Sequence, residues 1–419
     1  MKFKHVGDVA RWRLCLGCGA CASVCPEGKI DLVDIENDGI RPIVEEDDCE
    51  GCTLCLQVCP GIETTVPCET ASKSGPLNAH SRKWGHILEL WEGYAGDADI
   101  RYKGSSGGLC TALSLHLLQS GTAGGVVHIG ADPQQPTRNL TYRSLTPEEL
   151  IRRTGSRYAP ASPCSGFNLI ESADDSSVFI GKPCDIAGLR KAQQISHSLA
   201  DKTALAIGFF CAGTPSTQGT LALLEKRGIE ENAVSDLRYR GLGWPGMAKV
   251  EFKDQREPFK MTYSESWGFI QQYRPFRCYL CPDLTAELAD ISVGDPWYRD
   301  IGEDEPGRSL ILIRTEKGKK MFYRALEAGC VVADKADTNI IYRSQKNLLG
   351  KRQEIWGRLL AMKLLGIPYP RLSGFSLYQN WRSLTFGGKS RSFAGTAKRI
   401  IYRRYHRPLT FDSEQGGWR

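Results

Sequence analysis

The sequence of 419 residues predicts an α+β protein in three parts. These are a small cysteine-rich module in residues 1–68, a larger domain with a mixed sheet in residues 69–340, and a basic helical extension in residues 341–419. Three observations support this division. Eight of the 16 cysteines lie in the first 59 positions, strand patterns alternate with helical patterns in the middle, and positive charge is concentrated near the end.

The first module contains the cysteine pattern C-x2-C-x2-C-x3-C-P twice, as CLGCGACASVCP at residues 15–26 and CEGCTLCLQVCP at residues 49–60. Three cysteines at this spacing surround one face of a 4Fe–4S cluster, and in two-cluster ferredoxins the fourth cysteine binds the other cluster. The pattern therefore predicts two clusters. The expected ligands are Cys15, Cys18, Cys21 and Cys59 for the first and Cys49, Cys52, Cys55 and Cys25 for the second.

Other features of the same region fit a ferredoxin-type domain. Gly17, Gly19 and Gly51 would allow backbone N–H groups to approach the sulfurs, and IDLVDIENDGIRPIV at residues 30–44 predicts two short strands around an Asn-Asp-Gly turn. Zinc is the alternative metal that these cysteines could bind. Structural zinc sites, however, use pairs of cysteines at longer separation and need neither a third cysteine nor a repeated C-P ending.

The sequence also indicates the cellular compartment of the protein and the distribution of its charge. The start of the chain has no apolar segment typical of a secretory signal, and no run approaches the roughly 20 apolar residues of a membrane-spanning helix. We therefore expect a cytoplasmic protein, in which clustered cysteines more often bind metals than form disulfides. Residues 341–419 contain 16 Lys and Arg against 3 Asp and Glu, a net +13 that leaves −7 for the other 340 residues.

The larger domain follows a polar linker at residues 71–85 and alternates between the two patterns. Helices are predicted at Leu109–Gln119, 182–194, Thr217–Arg227 and 316–329. Strands are predicted at 125–130, 177–181, 203–211, 247–252, 260–265, 289–294 and 309–315. No GxGxxG follows a first strand, so we expect a non-Rossmann α/β arrangement.

Two small-residue loops are candidate cofactor contacts. Ser105, Ser106, Gly107 and Gly108 stand where a helix begins, and free N–H groups at the positive helix end would hold a phosphate or pyrophosphate. A plain helix cap with a flexible loop explains the same residues. TGSRYAP at residues 154–160 carries a cation and an aromatic ring, although an ordinary surface turn is its simpler interpretation.

The later cysteines form another constellation. Cys278 and Cys281 stand as CYLC before a proline, Cys211 ends a strand, and Cys184 directly follows one. Four thiolates at such positions would bind a third cluster; the alternatives are zinc or a thiol pair for CYLC and a small core residue for Cys211. Cys184 is the least constrained ligand. The other cysteines are Cys164 and Cys110, which are alternates for it, and Cys68 and Cys330, which are expected to be packing residues.

Several of these segments, taken in order, resemble a known family. They are GSSGG, GSRYAP, VFIGKPCDIAGLRK, FFCAG, RYRGLGWPG, CYLCPD and ADISVGDPW. Together they are similar to the beta subunit of coenzyme F420 (deazaflavin) hydrogenase/dehydrogenase with a fused two-cluster ferredoxin domain, over roughly residues 1–330. The same family includes the plant 7-hydroxymethyl chlorophyll a reductase and an 8-vinyl reductase of chlorophyllide.

The resemblance implies a bound FAD in a non-Rossmann fold and an iron–sulfur cluster in the main domain. It favours the pyrophosphate role of residues 105–108, implies that Ser156 and Tyr158 lie near the flavin, and makes Cys211 and the CYLC pair expected ligands. A flavin exchanges a hydride as two electrons whereas each cluster carries one. The implied function is an oxidoreductase that couples the two kinds of transfer.

The resemblance leaves the substrate and the catalytic acid open. The alternatives are an electron-transfer subunit that feeds a partner complex and has no organic substrate of its own, or a ferredoxin-dependent reductase of another substrate such as a tetrapyrrole. His128 and Tyr158 are candidate proton donors, but a lone histidine is more often structural. The catalytic residue is therefore unassigned.

The basic extension carries its charge on two segments. KRQEIWGRLLAMKLLG at residues 351–366 has the pattern of an amphipathic helix, and KRIIYRRYHRPLTF at residues 398–411 interleaves cations with aromatic rings. An anionic membrane surface, an acidic protein and nucleic acid all match such charge. Redox chemistry favours a redox protein partner or low-potential electron carrier, or peripheral contact with the inner face of a membrane, over nucleic acid. A solvated helical face that packs on the main domain is the alternative.

Overall fold

The computed structural model describes residues 3–45, 49, 52–67, 80–299, 305–412 and 417–418. Within the first module, the elements are α1 (Val6–Arg11), α2 (Ala20–Ser23), β1 (Ile30–Ile35), β2 (Gly39–Val44), α3 (Leu54–Gln57) and β3 (Glu63–Thr65). β1 and β2 pair antiparallel around a turn at residues 36–38, which confirms the predicted hairpin. Gly51, Cys68 and most of the predicted linker lie outside the described residues.

The main domain contains four described 3-10 turns and a longer series of helices and strands. Its first half comprises α4 (Ser81–Trp84), β4 (Glu89–Ala95), α5 (Ala98–Lys103), α6 (Leu109–Gln119), β5 (Gly125–Ala131), β6 (Asn139–Ser144), α7 (Pro147–Arg152), α8 (Phe167–Glu171), β7 (Ser177–Gly181), α9 (Pro183–Gln193), α10 (His197–Asp201) and β8 (Thr203–Phe209). Its second half comprises α11 (Thr217–Lys226), β9 (Val234–Arg238), β10 (Met247–Phe252), β11 (Phe259–Thr262), α12 (Tyr263–Ile270), β12 (Ile291–Gly294), β13 (Ser309–Ile313), α13 (Glu316–Glu327), β14 (Val331–Lys335) and α14 (Asn339–Ser344). The 3-10 turns are Pro163–Gly166, Glu231–Ala233, Gln271–Tyr273 and Phe276–Leu280.

One predicted strand was wrong in its second half. Residues 260–265 were expected to be extended, but β11 ends at Thr262 and α12 begins at the next residue. The Thr262 side chain accepts a hydrogen bond from the Glu265 amide, and the Glu265 carboxylate accepts one from the Thr262 amide. This reciprocal cap starts a helix where the β-forming Thr-Tyr pair alone favours a strand.

An eight-stranded mixed sheet forms the centre of the main domain, in the order β14-β4-β13-β12-β8-β7-β5-β6. The four strands β12, β8, β7 and β5 are parallel, and the flanking pairs are antiparallel. This mixture of helices and strands agrees with the predicted α+β class. A smaller, separate sheet has the order β11-β10-β9.

The two faces of the sheet are covered by different elements because neighbouring strand residues point to opposite sides. Val126 packs into the apolar cluster that contains α6 and α13, whereas Val127 packs into the cluster that contains α9. Ala20 and Val58 of the first module belong to the second cluster. The module is therefore packed directly against the α9 face of the sheet.

One edge of the sheet collects the ends of many strands. In the register of the sheet, Gly294 at the end of β12 pairs with Leu310 near the start of β13, and Ser309 pairs with Gly93 near the end of β4. The parallel strands β7 and β8 also end on this side. In open α/β sheets, ligands bind outside the carboxyl ends of the strands, so this edge is where a site is expected.

The basic extension is integrated into the fold. Its elements are α15 (Lys346–Leu364), β15 (Arg371–Ser373), α16 (Leu377–Arg382), α17 (Phe386–Tyr402), β16 (Phe411–Asp412) and β17 (Gly417–Trp418). β15 pairs in parallel with β3 of the first module. Met362 and Ile400 share an apolar cluster with Val9 and Cys55. Of the helices in the described ranges, none combines the length and apolar character needed to cross a bilayer.

Candidate functional site

The first set of cysteines surrounds one cavity. Cys15, Cys18, Cys21 and Cys59 all line it, together with Gly17, Gly19 and Gly61, and its empty volume is about 370 Å³. The first three come from the loop before α2 and from α2 itself, and Cys59 follows α3. The structure thus brings together the four cysteines that the sequence assigned to one cluster, although the first and the last are separated by 43 intervening residues.

Backbone N–H groups point at the sulfurs of this cavity. The Gly17 amide donates to Cys15 Sγ at 3.3 Å, and the Gly61 amide donates to the Cys59 sulfur. A side chain at Gly61 would place its Cβ 2.6 Å from the Leu14 carbonyl oxygen, so only glycine allows this approach. Burial raises the pKa of Cys59 to about 12. A bound cationic group would stabilise a thiolate at Cys59.

The second set is more exposed. Burial raises the pKa of Cys55, and the neighbouring thiols of Cys49 and Cys52 act in the same direction. Cys55 is buried, Cys49 is half-buried and Cys52 is exposed. Cys25 packs against the same apolar cluster as Cys55. Three cysteines of this set are therefore electrostatic neighbours at the surface of the module, and the fourth contacts their apolar surroundings.

The later cysteines line a second, larger cavity at the sheet edge. Cys184 lies in the first turn of α9, Cys211 follows β8, and Cys278 and Cys281 lie on and after the 3-10 turn Phe276–Leu280. The cavity has an empty volume of about 650 Å³, its open mouth included. Burial raises the pKa of Cys211 to about 11, with the Cys278 thiol as the next cause. All four predicted ligands of a third cluster are brought together.

The two cavities adjoin each other. Cys15 and Gly17 line both of them. The larger cavity also contains three cationic side chains. Arg41 donates to Asp38 at 2.6 Å, the Lys182 ammonium lies 2.7 Å from Asp185, and Arg277 is the third. The cysteine sets therefore form a continuous series from the module into the sheet edge.

The remaining described cysteines lie away from the larger cavity. Cys164 is buried, and its thiol hydrogen-bonds to Cys18, which lowers the pKa of Cys18. Cys110 is half-buried at the start of α6, and Cys330 Sγ lies 3.6 Å from His116 Nδ1. Neither alternate for the fourth ligand lines the cavity, whereas Cys184 does.

The glycine-rich loop at residues 105–108 lies at the same sheet edge. Ser106 Oγ donates to the Arg308 carbonyl at 2.8 Å, and Gly107 and Gly108 both have positive φ. A Cβ at Gly108 would lie 2.4 Å from the Ile100 carbonyl oxygen, so close chain packing explains this glycine. Gly108 is the N-cap of α6, and among the described residues no side chain caps this helix start. Its first N–H groups are therefore suited to an anion.

The second small-residue loop contacts the first. The Ser156 amide donates to Ser105 Oγ at 2.7 Å. Tyr158 is half-buried, and its ring centroid lies 4.9 Å from Trp267 and 6.3 Å from Tyr263. Burial raises the pKa of Tyr158. Both predicted loops therefore belong to one region of the structure.

Sequence reasoning missed the charged centre of this region. Arg240 is buried and forms an ion pair with Asp295, which also accepts a hydrogen bond from Trp244 Nε1 at 2.8 Å. Trp297 stacks on Tyr263 with ring centroids 5.4 Å apart. The signal was present in the segments RYRGLGWPG and ADISVGDPW, whose polar residues surround the ends of strands.

Two other candidate residues have structural contacts. Arg157 does not face solvent at a surface turn. Its guanidinium donates to Asn139 and to the carbonyls of Pro136, Arg138 and Leu237. His128 is buried on β5, and its Nε2 lies 2.8 Å from Ser144 Oγ on the adjacent strand β6.

Comparison with protein-family models gives three matches. The model described as coenzyme F420 hydrogenase/dehydrogenase, beta subunit N-term, matches residues 90–167, and the corresponding C-terminus model matches residues 174–339. A 4Fe-4S dicluster domain model matches residues 10–65. The three matches cover the module and the main domain up to the start of α14.

Named relatives show the same similarity. The coenzyme F420-dependent sulfite reductase of Methanocaldococcus jannaschii is 26% identical over 323 residues, which are 74% of this chain and 45% of that protein. The chain thus spans less than half the length of that relative. The coenzyme F420 hydrogenase subunit beta of Methanococcus voltae is 27% identical over 288 residues, 66% of this chain and 95% of the relative.

A solved structure shares the fold. A chain of the F420-reducing [NiFe] hydrogenase complex from Methanosarcina barkeri superposes with a TM-score of 0.54 at 21% identity. The match covers 69% of this chain and 97% of the other.

Proposed function

This chain belongs to the coenzyme F420 hydrogenase/dehydrogenase beta-subunit family, and on that premise we propose that it is an iron–sulfur flavoprotein oxidoreductase. It would couple one-electron 4Fe–4S clusters to two-electron hydride chemistry at FAD. The observation that carries the proposal is the pair of adjoining cavities, one lined by four cysteines and the other by five with Cys15 common to both, at the edge of the sheet where the glycine-rich loop also lies.

The cysteine cavities fit iron–sulfur clusters. Within the described ranges, no three His, Cys, Asp or Glu side chains converge tightly enough to hold a single metal ion. Tetrahedral zinc with Zn–S bonds of about 2.3 Å would bring thiolates to within about 4 Å of one another. Cavities that four cysteines surround suit a larger inorganic group, and the directed N–H groups of Gly17 and Gly61 are the kind that tune its potential.

The chain's residues would then divide the cluster binding among three sites. The first cluster would be held by Cys15, Cys18, Cys21 and Cys59, the second by Cys49, Cys52, Cys55 and Cys25, and the third by Cys184, Cys211, Cys278 and Cys281. Because Cys15 lines both cavities, the first and third sites are the two that adjoin. Because Cys52 is exposed, the second site would be the point at which electrons enter from a partner in solution.

The sheet edge fits a flavin nucleotide in two respects. The uncapped N-terminus of α6, with Ser105, Ser106, Gly107 and Gly108 before it, would hold the pyrophosphate. FAD, when bound, supplies hydride transfer. We propose that Ser156 fixes the first loop through its amide, and that the rings around Tyr158 exclude water from the flat ring system. The Arg240–Asp295 pair would hold these rings in place.

The decisive experiment is anaerobic purification followed by iron, sulfide and flavin analysis. We expect about four irons and four sulfides for each of three clusters, together with one FAD. Titration with reduced F420, reduced ferredoxin and nicotinamides would then show which donor bleaches the flavin and cluster bands. Zinc in place of iron, or a colourless protein, would contradict the proposal. Bleaching by none of these donors would remove the enzyme function.

A second candidate is an electron-transfer subunit that serves a partner complex and has no organic substrate of its own. The relative from Methanococcus voltae is named as a subunit of a hydrogenase, and the matched solved chain is part of a hydrogenase complex. Substrate turnover by the isolated protein separates the two candidates. A protein that holds FAD and exchanges electrons only through its clusters would be the subunit.

The basic extension is the proposed contact surface for a redox partner. Residues 355–411 contain no Asp or Glu and eleven Lys and Arg. Phe386 is 87% exposed and Tyr402 is 78% exposed on α17, next to exposed cations such as Arg391 and Arg404. Ile400, on the buried side of the same helix, contacts the apolar cluster that includes Cys55. An acidic one-electron carrier bound here would lie beside the second cysteine set; an anionic membrane is the alternative partner.

A further inference from the structure

Arg277 is a buried cation that has no carboxylate partner among the described residues. It is 2% exposed and lies in the 3-10 turn Phe276–Leu280. Its Nη2 makes one long hydrogen bond, 3.4 Å to the Pro60 carbonyl oxygen. Nε and Nη1 are buried and have no hydrogen-bond partner. A buried unpaired charge costs several kcal/mol, so a guanidinium held in this way requires an anion that the protein side chains do not provide.

The surroundings of Arg277 identify that anion. Arg277 lines the larger cavity together with Cys184, Cys278 and Cys281. Its one hydrogen bond is to the carbonyl of Pro60, and Pro60 lines the smaller cavity next to Cys59. The side chain therefore connects the walls of the two cysteine cavities.

The other cations of the larger cavity are neutralised differently. Arg41 is paired with Asp38 and Lys182 with Asp185, so each has its counter-charge within the protein. In the described part of the chain, Arg277 forms no ion pair with a carboxylate. Its Nε and Nη1, which have no hydrogen-bond partner among the described residues, thus remain available for an anionic group inside the cavities.

We propose that Arg277 is a shared electrostatic partner of two iron–sulfur clusters, one held by Cys15, Cys18, Cys21 and Cys59 and the other by Cys184, Cys211, Cys278 and Cys281. This inference rests on the proposed function, because it takes the two cavities as cluster sites. Hydrogen bonds and net charge at the sulfurs set the potential of a cluster. A fixed cation stabilises the more negative, reduced form, so Arg277 raises the reduction potentials of both clusters.

A shared cation also has a consequence for electron flow. Adding an electron to one cluster makes reduction of its neighbour less favourable, because the two negative charges repel. The attraction of a guanidinium for the added charge opposes this penalty at each cluster. Both adjoining clusters would then be reduced at higher potentials than in its absence.

The test is a redox titration, monitored by electron paramagnetic resonance, of anaerobically purified Arg277→Gln, Arg277→Lys and wild-type protein. We expect the Gln variant to lower the midpoint potentials of the two adjoining clusters and to leave that of the second cluster nearly unchanged. The Lys variant keeps the charge but loses the planar set of donors, so its shift should be smaller. Arg157→Gln is the matched control, since that guanidinium is held by an amide and carbonyls away from the cysteines.

Iron analysis shows whether each variant still holds its clusters, and this determines how the titration is interpreted. If Arg277→Gln fails to hold iron, the Arg277→Lys variant provides the measurement. Unchanged potentials in a fully loaded variant, equal shifts of all three clusters, or an equal effect of Arg157→Gln would overturn the inference. Wild-type protein without clusters would contradict the proposed function itself. Wild-type clusters whose potentials ignore Arg277 would contradict this inference alone.

Discussion

The Ser156 amide donates a hydrogen bond to Ser105 Oγ at 2.7 Å, although the two residues are 51 positions apart in the sequence. This bond joins the two small-residue loops that the sequence marked as candidate flavin contacts. It uses the side chain of Ser105 and the backbone of Ser156. Replacing the Ser105 side chain therefore removes this bond, whereas replacing the Ser156 side chain leaves it in place.

We predict that Ser105→Ala weakens FAD binding about fivefold, because the loop loses one hydrogen bond of about 1 kcal/mol that holds it before α6. Ser156→Ala is the matched control, since the amide that makes the bond is retained. Flavin release measured by ultrafiltration gives the dissociation constants. A greater loss in Ser156→Ala than in Ser105→Ala would show that the hydroxyl of Ser156, and not this bond, matters.

The fourth ligand of the third cluster can be tested by iron content. Cys184→Ala should remove about four irons from the anaerobically purified protein, because that thiol lines the larger cavity. Cys110→Ala should keep the full content, since its side chain lies at the start of α6 and does not line this cavity. Loss of about four irons in Cys110→Ala but not in Cys184→Ala would instead assign Cys110 as the fourth ligand.

The buried ion pair of Arg352 and Glu287 should stabilise the junction between α15 and the main domain. Their side chains are 4% and 1% exposed. Arg352→Met leaves a buried carboxylate unpaired and should lower the free energy of unfolding by about 3–5 kcal/mol. Arg371→Met breaks the exposed pair with Glu63, whose side chains are 71% and 39% exposed, and should lower it by less than about 1 kcal/mol. Anaerobic denaturant titration measures both, and similar losses would contradict the role of burial.

We predict that the buried His128 lowers the free energy of unfolding at acidic pH. Burial lowers the pKa of His128 to about 4. The unfolded chain, with an ordinary pKa of about 6.5, binds a proton that the folded state does not accept. Stability is therefore complete above about pH 6.5 and falls by up to about 3 kcal/mol as the pH approaches 4.

This dependence separates His128 from an exposed histidine. In His128→Asn the corresponding loss between pH 6.5 and 4.5 should disappear, as measured by anaerobic denaturant titration at each pH. His197→Asn, at an exposed position on α10, should keep the wild-type profile. Identical profiles for wild type and His128→Asn would refute the assignment.

Charge reversal on and just after α17 tests the partner surface better than deletion, because Phe375 and Ile400 are buried and truncation would open the core. Arg391→Glu with Arg404→Glu should slow reduction of the clusters by an acidic two-cluster ferredoxin at least tenfold at low salt, and the difference should shrink as salt rises.

The matched control is Lys253→Glu with Lys320→Glu, two exposed cations on other elements with the same change in net charge. An equal slowing would show a general charge effect. Loss of binding to anionic phospholipid vesicles, with ferredoxin reduction unaffected, would assign the surface to a membrane.

Local patterns predicted much of this protein. α6 and β7 have the predicted bounds, since a helical apolar period after two glycines and a short β-branched run are both encoded by neighbouring residues. The strands β6 and β14 were missed, because both lie at the edges of the sheet and alternate polar with apolar residues only weakly. Tertiary context made them strands.

By itself, the sequence determined the cysteine spacing, the class of the fold and the charge of the extension. Three cluster ligands within seven positions need only a short turn of chain, so they can be recognised in one dimension. Only the tertiary structure placed Cys15 between two cavities, paired Arg240 with Asp295 and left Arg277 buried among thiols. The physical reason is that burial and charge pairing depend on which distant segments exclude water from a side chain.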